Sequence, residues 1–255
     1  MPNTDAHRTR HYKYYDLCLA GFVTVLLCSN LIGPGKSCAI DLSANIVPSF
    51  EPDKGFFLTS VLIFGAGNIF FPISYIFGDI LTEVYGYARA RKVIWAGFAA
   101  ILFATIMSYI IIRLPLNPDE PYNKQIQPAL ETVFGTTYRI VLGSMLAFWV
   151  GDFVNSYVMA KLKLLTKGKY LWTRTIGSTI AGQGVDCILF YPIAFYGIWK
   201  TETLFAAIIF NWLFKIAIEV LFTPLTYLVV NFLKKAENED FYDTNTNFTP
   251  FSLKD

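Results

Sequence analysis

The chain has 255 residues, 54% of them hydrophobic and only 16% charged, with a formal net charge of +2. A soluble domain usually carries about 25% charge, so the composition reads as an integral membrane protein. The near-neutral balance gives no reason to expect a nucleic-acid partner. Cys18, Cys28, Cys38 and Cys187 are scattered, with neither a disulfide framework nor zinc-ligand spacing. His7 and His11, the two histidines, both lie in the polar N-terminal tail. The membrane part therefore lacks the usual metal ligand and the usual general base. No metal, cofactor or enzymatic activity is expected.

A membrane span needs about 20 mostly apolar residues. Six stretches qualify in chain order: 16–33, 56–78, 93–112, 138–160, 176–198 and 204–232. The expected fold is an all-α integral membrane protein with six transmembrane helices. A short N-terminal tail, 1–15, should precede a transmembrane domain at 16–235. A polar C-terminal tail, 236–255, is expected to fray. The first span is too long for a signal-peptide core, and no small-x-small cleavage site follows it.

The second span, "FFLTSVLIFGAGNIFFPISYIF", runs into "GDILTEVYG", where Asp79 and Glu83 stand four residues apart on one helical face. Two like charges at that spacing repel by a few tenths of a kcal/mol in water, and by more where water is scarce. Glu83 is expected to pair with a basic neighbour or to face water. Between the third and fourth spans, "RLPLNPDEPYNKQIQPALETVFGTT" is rich in proline and allows one short helix at Pro128 to Phe134.

Lysine and arginine decide orientation. Arg8, Arg10, Lys13, Arg89, Arg91, Lys92, Lys161, Lys163, Lys167, Lys169, Arg174, Lys234, Lys235 and Lys254 fall on one side of the six spans. Only Lys36, Lys54, Arg113, Lys124 and Lys200 fall on the other. Both termini are therefore expected in the cytoplasm.

Ionisable groups inside spans are costly and mark function by default. In the fourth span Asp152, Asn155 and Ser156 share a face. In the fifth, Arg174, Ser178, Gly182 and Asp186 form one i, i+4 row, and Thr175, Thr179 and Gln183 form the next. That half of the helix cannot face lipid. It can be polar packing between helices or the wall of a cavity. In the sixth span Asn211, Lys215, Glu219, Thr223 and Tyr227 recur at every fourth position, so Lys215 and Glu219 can pair along the helix. Asn30 ends the first span, and Asn68 interrupts the second. Polar faces on several helices argue for a polar cavity near the midplane. Arg174 is twelve residues from Asp186, about 18 Å along a helix, so it suits a gate better than the same ligand site.

Four stretches together, "FFPISYIFGDILTEVYGYARARKVIW", "GDFVNSYVMAKLK", "RTIGSTIAGQGVDCILFYPIAF" and "FKIAIEVLFTPLTYLVVNFLKK", resemble the queuosine precursor transporters of the vitamin uptake transporter group. The resemblance implies a six-helix importer of 7-deazaguanines in the bacterial inner membrane, serving tRNA modification. It implies functional weight at Ser29, Asn30, Asp79, Asn155, Arg174, Ser178, Thr179, Gln183, Asp186, Lys215 and Pro224. Many relatives carry Glu where this chain has Asp152. With that substrate class, Asp186 is expected to accept the base's ring N–H and exocyclic NH₂ in a bidentate pair. Asn155 or Gln183 would donate to its carbonyl, and aromatic side chains would stack on its faces. Asn30, Ser178, Lys215 and Glu219 complete the expected binding set. Asp79, Glu83, Asp152 and Arg174 form the expected gate, closed by an Asp79–Arg174 pair. Membrane carboxylates allow proton coupling, and a homodimer is compatible with the sequence. The alternative function is the substrate-binding component of an energy-coupling vitamin importer, which would need ATPase partners, since the chain has no phosphate-binding loop of its own.

Overall fold

In a computed structural model, residues 11–32, 36–42, 45–135 and 138–252 are described. Arg8, Arg10, His7 and Lys254 lie outside them. The protein is mostly helical. Six helices run alternately between two ends: α1 (Tyr15–Leu31), α2 (Phe71–Tyr85), α3 (Tyr87–Arg113), α5 (Tyr138–Leu165), α6 (Leu171–Phe195) and α7 (Thr201–Glu237). Helix α4 (Asn123–Phe134) lies between α3 and α5 and begins earlier than its sequence suggests. The end where α2 meets α3 gathers Arg89, Arg91, Lys163, Arg174 and Lys234 and is the basic end. Helices α3, α5 and α7 are long and apolar enough to cross a membrane. Their outward faces carry exposed Phe103, Ile106, Ile110, Leu213, Leu221 and Leu228, a surface suited to lipid rather than water. The chain is thus a helical, multi-pass membrane protein.

The second expected span is a correction. Its first half is not helical. Strand β1 (Ser37–Asp41) pairs antiparallel with β4 (Val61–Gly65), and β2 (Val47–Glu51) pairs antiparallel with β3 (Gly55–Thr59). The turn "PDKG" joins β2 to β3, with Gly55 at φ +74°, a conformation that a Cβ would strain. Ser49 Oγ donates to the Val61 carbonyl at 2.8 Å and ties the two pairs together. Aromatic and β-branched residues between turn signals favour strands. A short 3-10 turn, Ala66–Phe70, then leads into α2, where Pro72 sits in the first turn. Proline is tolerated there because the N–H it lacks would find no helical partner.

Helix α2 is the axis of the bundle. Its residues Asp79, Ile80, Leu81, Thr82, Glu83, Val84 and Tyr85 are all buried. The apolar ones pack with Cys18, Phe22 and Leu26 of α1, Val93 and Ile101 of α3, Met145 and Met159 of α5, and Val230 and Leu233 of α7. Because this second half of the helix is enclosed, its acidic pair lies inside the protein, not at the membrane surface.

Within the described residues, the C-terminal segment does not fray. Past α7 it folds back across the basic end. Arg91 donates to the carbonyls of Asn247 and Thr249, both at 2.7 Å, and Trp95 Nε1 donates to the Pro250 carbonyl at 2.8 Å. The Lys163 ammonium donates to Asp240 at 2.6 Å and to the Phe241 carbonyl at 2.8 Å. Burial alone would raise the Asp240 carboxyl, yet Lys163 and Lys234 hold it below the usual carboxylate range. Gly86, between α2 and α3, has φ +87°, and a Cβ there would stand 2.2 Å from the Phe241 ring. The sequence reading missed this docking because the segment is polar, and its backbone carbonyls do much of the bonding.

Candidate functional site

Helices α5 and α6 touch through their backbones. A Cβ on Gly182 would stand 2.7 Å from Asn155 Cβ and 2.8 Å from the Gly151 carbonyl oxygen. Small residues at such a crossing let two helices approach closely. The contact fixes Asn155 on α5 against the polar face of α6. Gly182→Ala is therefore expected to force the helices apart and lower stability by about 1–3 kcal/mol. Thermal unfolding of the purified variant in detergent measures this, and a wild-type transition would contradict the packing.

Arg174 sits at the start of α6, where the chain enters from the basic end. Its guanidinium forks onto Glu83, Nε to Oε2 at 3.0 Å and a terminal nitrogen to Oε1 at 2.8 Å. The expected Asp79–Arg174 pair is replaced by this one. Glu83 is one turn closer to the basic end, about 6 Å along the axis, and there it meets the short reach of Arg174. Lys234 Nζ also contacts Glu83 Oε1 at 2.6 Å, and Lys163 Nζ approaches the same oxygen at 3.4 Å. Glu83 is fully buried. One carboxylate thus joins α2, α5, α6 and α7, and Asp240 links the tail to the same cations.

The expected Lys215–Glu219 pair is also replaced. The Lys215 ammonium binds Asp186 Oδ2 across the α6–α7 interface. Helical side chains lean toward the helix N-terminus, so Lys215 leans away from Glu219 and toward the end opposite the basic one. Its ammonium lies 5.0 Å above the Phe71 ring. The second Asp186 oxygen takes no protein hydrogen bond among the described residues. The side chain remains 20% exposed, and a carboxylate oxygen without a protein partner can accept from a ligand. Glu219 instead faces Asp79 of α2 and Thr179 of α6.

Other expected site residues are distributed more widely. Ser178 is fully buried and donates to the Thr175 carbonyl of its own helix, which is the packing alternative. Gln183 is 9% exposed on the same face. Asn30 donates to the Leu26 carbonyl and accepts from Ser144 of α5, so it joins two helices. Asp152 and Asn155 border a void of only about 10 Å³ with Phe22 and Gly78, too small for a ligand.

A cavity of about 340 Å³ opens instead at the end opposite the basic one. It is lined by Phe50, Pro52, Ile63 and Phe64 from the strands, Asn68, Tyr191 and Trp199, and Phe210, Asn211 and Phe214 of α7. Phe210 stacks on Phe214 and on Phe50, and Trp199 stacks on Phe195 at 4.0 Å. Asn211 stands one turn above Lys215 on α7, so the cavity lies just above the Asp186–Lys215 pair. Asn68 makes no protein hydrogen bond among the described residues. Its amide can both donate to and accept from a ligand. Sequence reasoning noted Asn68 and Asn211 but left them out of the site. The aromatic lining gave no signal, since lipid-facing aromatics look the same in sequence.

Comparison with known proteins identifies the family. A family model described as "Putative vitamin uptake transporter" matches residues 65–229. The chain belongs to the vitamin uptake transporter family. Members of this family are transporters, not enzymes. The chain is 33% identical over 163 residues to the "Probable queuosine precursor transporter" of Bacillus subtilis (strain 168), a match covering 63% of this chain and 69% of that protein. It is 26% identical over 176 residues to the "Queuosine precursor transporter" of Escherichia coli (strain K12), covering 66% and 74%. A "Probable queuosine precursor transporter" of Haemophilus influenzae is 27% identical over 133 residues, 51% of each chain. No solved structure matches significantly. The family match spans the 3-10 turn, α2 to α6 and most of α7, and so includes Asn68, Asp79, Glu83, Asp186, Lys215 and Glu219.

Proposed function

We propose that this protein imports a 7-deazaguanine precursor of queuosine across the bacterial inner membrane. Six helices cross the bilayer, with the basic end and both termini in the cytoplasm, as the lysine and arginine asymmetry favours. The observation that carries the reading is the aromatic cavity of about 340 Å³ above the Asp186–Lys215 pair. Its volume falls within the usual range for small-molecule sites, and a flat base suits its stacking rings. The open oxygen of Asp186 accepts the donor edge of the base once it has moved down one turn. Asn68 and Asn211 supply polar contacts to the rest of its rim. Lys215 keeps Asp186 neutralised while the site is empty, so no lone charge sits in the membrane interior.

The Glu83 cluster closes the cytoplasmic side in this state, while the aromatic cavity opens on the opposite side. That combination suits an outward-facing conformation awaiting its substrate. The reading is tested with purified protein in liposomes offered labelled 7-cyano-7-deazaguanine, 7-aminomethyl-7-deazaguanine or queuine. Saturable uptake of at least one, outcompeted by unlabelled base and not by adenine, is the expected result. Uptake of none of the three would overturn the proposal.

A further inference from the structure

Among the described residues, Asp79 and Glu219 are an acidic pair that no cation bridges directly, with Arg174 as the nearby positive charge. Asp79 projects from the buried half of α2, and Glu219 projects from α7 to meet it within hydrogen-bonding reach. Each residue is 1% exposed. Asp79 Oδ2 and Glu219 Oε1 are buried and take no hydrogen bond among the described residues. Thr179 of α6 supplies a hydroxyl contact to Glu219, and Thr223 caps the Glu219 carbonyl from its own helix.

The charged groups nearby are already engaged. Glu83, one turn further along α2, adds a like charge. Arg174 of α6 spends its fork on Glu83, and its remaining nitrogen donates to the Lys169 carbonyl at 2.6 Å. Lys215, one turn back on α7, is held by Asp186. Lys163 and Lys234 belong to Glu83 and Asp240. Tyr75, one turn before Asp79 on α2, carries a buried hydroxyl with no partner among the described residues. Two adjoining carboxylates in a dry interior cannot both ionise without a counter-charge. A single proton between them removes one charge and makes a strong hydrogen bond to the other.

We infer that Asp79 and Glu219 form a proton-binding site, holding one shared proton in this state and exchanging it with water when α2 and α7 move apart. The proton site is separate from the Asp186–Lys215 pair, so base and proton occupy different places on the same two helices, α6 and α7, and their neighbour α2. Resting on the proposed import of a base, the inference makes this pair the coupling site of a proton-driven cycle. One proton enters with one base, and no other reactant is needed.

Two measurements test it. Infrared spectroscopy of the purified protein at neutral pH should display the carbonyl band of a protonated carboxylic acid, shifted in heavy water. The band should vanish in the Asp79→Asn, Glu219→Gln double variant. No such band in the wild type, or one that disappears only in Asp152→Asn, would overturn the inference, whatever the protein transports. In liposomes, Asp79→Asn places a permanent amide donor against Glu219 and so preserves the contact without the exchangeable proton. It should still exchange labelled 7-cyano-7-deazaguanine across the membrane but lose accumulation driven by a pH gradient. Accumulation at the wild-type level would refute the coupling role. Failure of the wild type to move the base at all would count against the import reading, while the infrared result would still decide the proton site.

Discussion

Glu83→Gln is expected to cause the largest loss of stability of any single substitution at the basic end. Glu83 is fully buried and receives Arg174 in a two-bond fork, Lys234 at 2.6 Å and Lys163 at 3.4 Å. Neutralising it leaves the buried Arg174 guanidinium with no anion. Breaking a buried ion pair by removing one partner typically costs about 3–5 kcal/mol, because the remaining charge is stranded. Lys163 and Lys234 keep Asp240, so the damage centres on Arg174. Adding Arg174→Met to Glu83→Gln should therefore restore part of the loss. Thermal unfolding in detergent gives both numbers. A double variant less stable than Glu83→Gln alone would mean that Arg174 contributes through its other bonds, to Thr166 and Lys169, rather than through Glu83.

Asp186→Asn is expected to have the largest effect on base affinity. The substitution keeps the side-chain shape and replaces a carboxylate acceptor with an amide. Hydrogen bonds to charged groups contribute about 1.5–3 kcal/mol, which corresponds to roughly a 10- to 150-fold weaker Kd. It also strands the Lys215 ammonium, which is 11% exposed and held by Asp186. Asp186→Asn combined with Lys215→Met should recover folding but not affinity, since the acceptor is still missing. That split separates the two roles of the carboxylate. Equilibrium binding of labelled 7-cyano-7-deazaguanine measures it. Recovery of affinity in the double variant would assign Asp186 to charge balance alone.

The helices that face lipid were legible because long apolar runs have one outcome in a membrane. Helices α3, α5 and α7 contain the spans expected at 93–112, 138–160 and 204–232. The stretch 56–65 was misread because a continuous apolar run fits a buried strand as well as a helix, and periodicity cannot separate them. Gly55 and Pro72 bracket it and held the available signal. The polar face of α6 was legible as a buried face. Its partners were not, since i, i+4 spacing reports only neighbours on one helix. Lys215 chose Asp186 on another helix, and Arg174 chose Glu83 over Asp79. These choices depend on helix depth and side-chain lean, which only packing reveals. Asn68 was visible as an amide inside an apolar run. Its role depended on the strands that bring Phe50 and Ile63 to the same cavity.

The central claim is that the base sits in the aromatic cavity above the Asp186–Lys215 pair. Asn68→Cys tests it most directly, in a background whose own half-buried thiols, Cys28 and Cys38, are changed to serine. The Asn68 side chain lines the cavity and has no protein hydrogen bond to lose among the described residues. A membrane-impermeant maleimide added from outside should label the new thiol. Saturating 7-cyano-7-deazaguanine should slow that labelling markedly, and adenine should not. Equal labelling rates with and without the base, in a variant that still takes it up, would contradict the account.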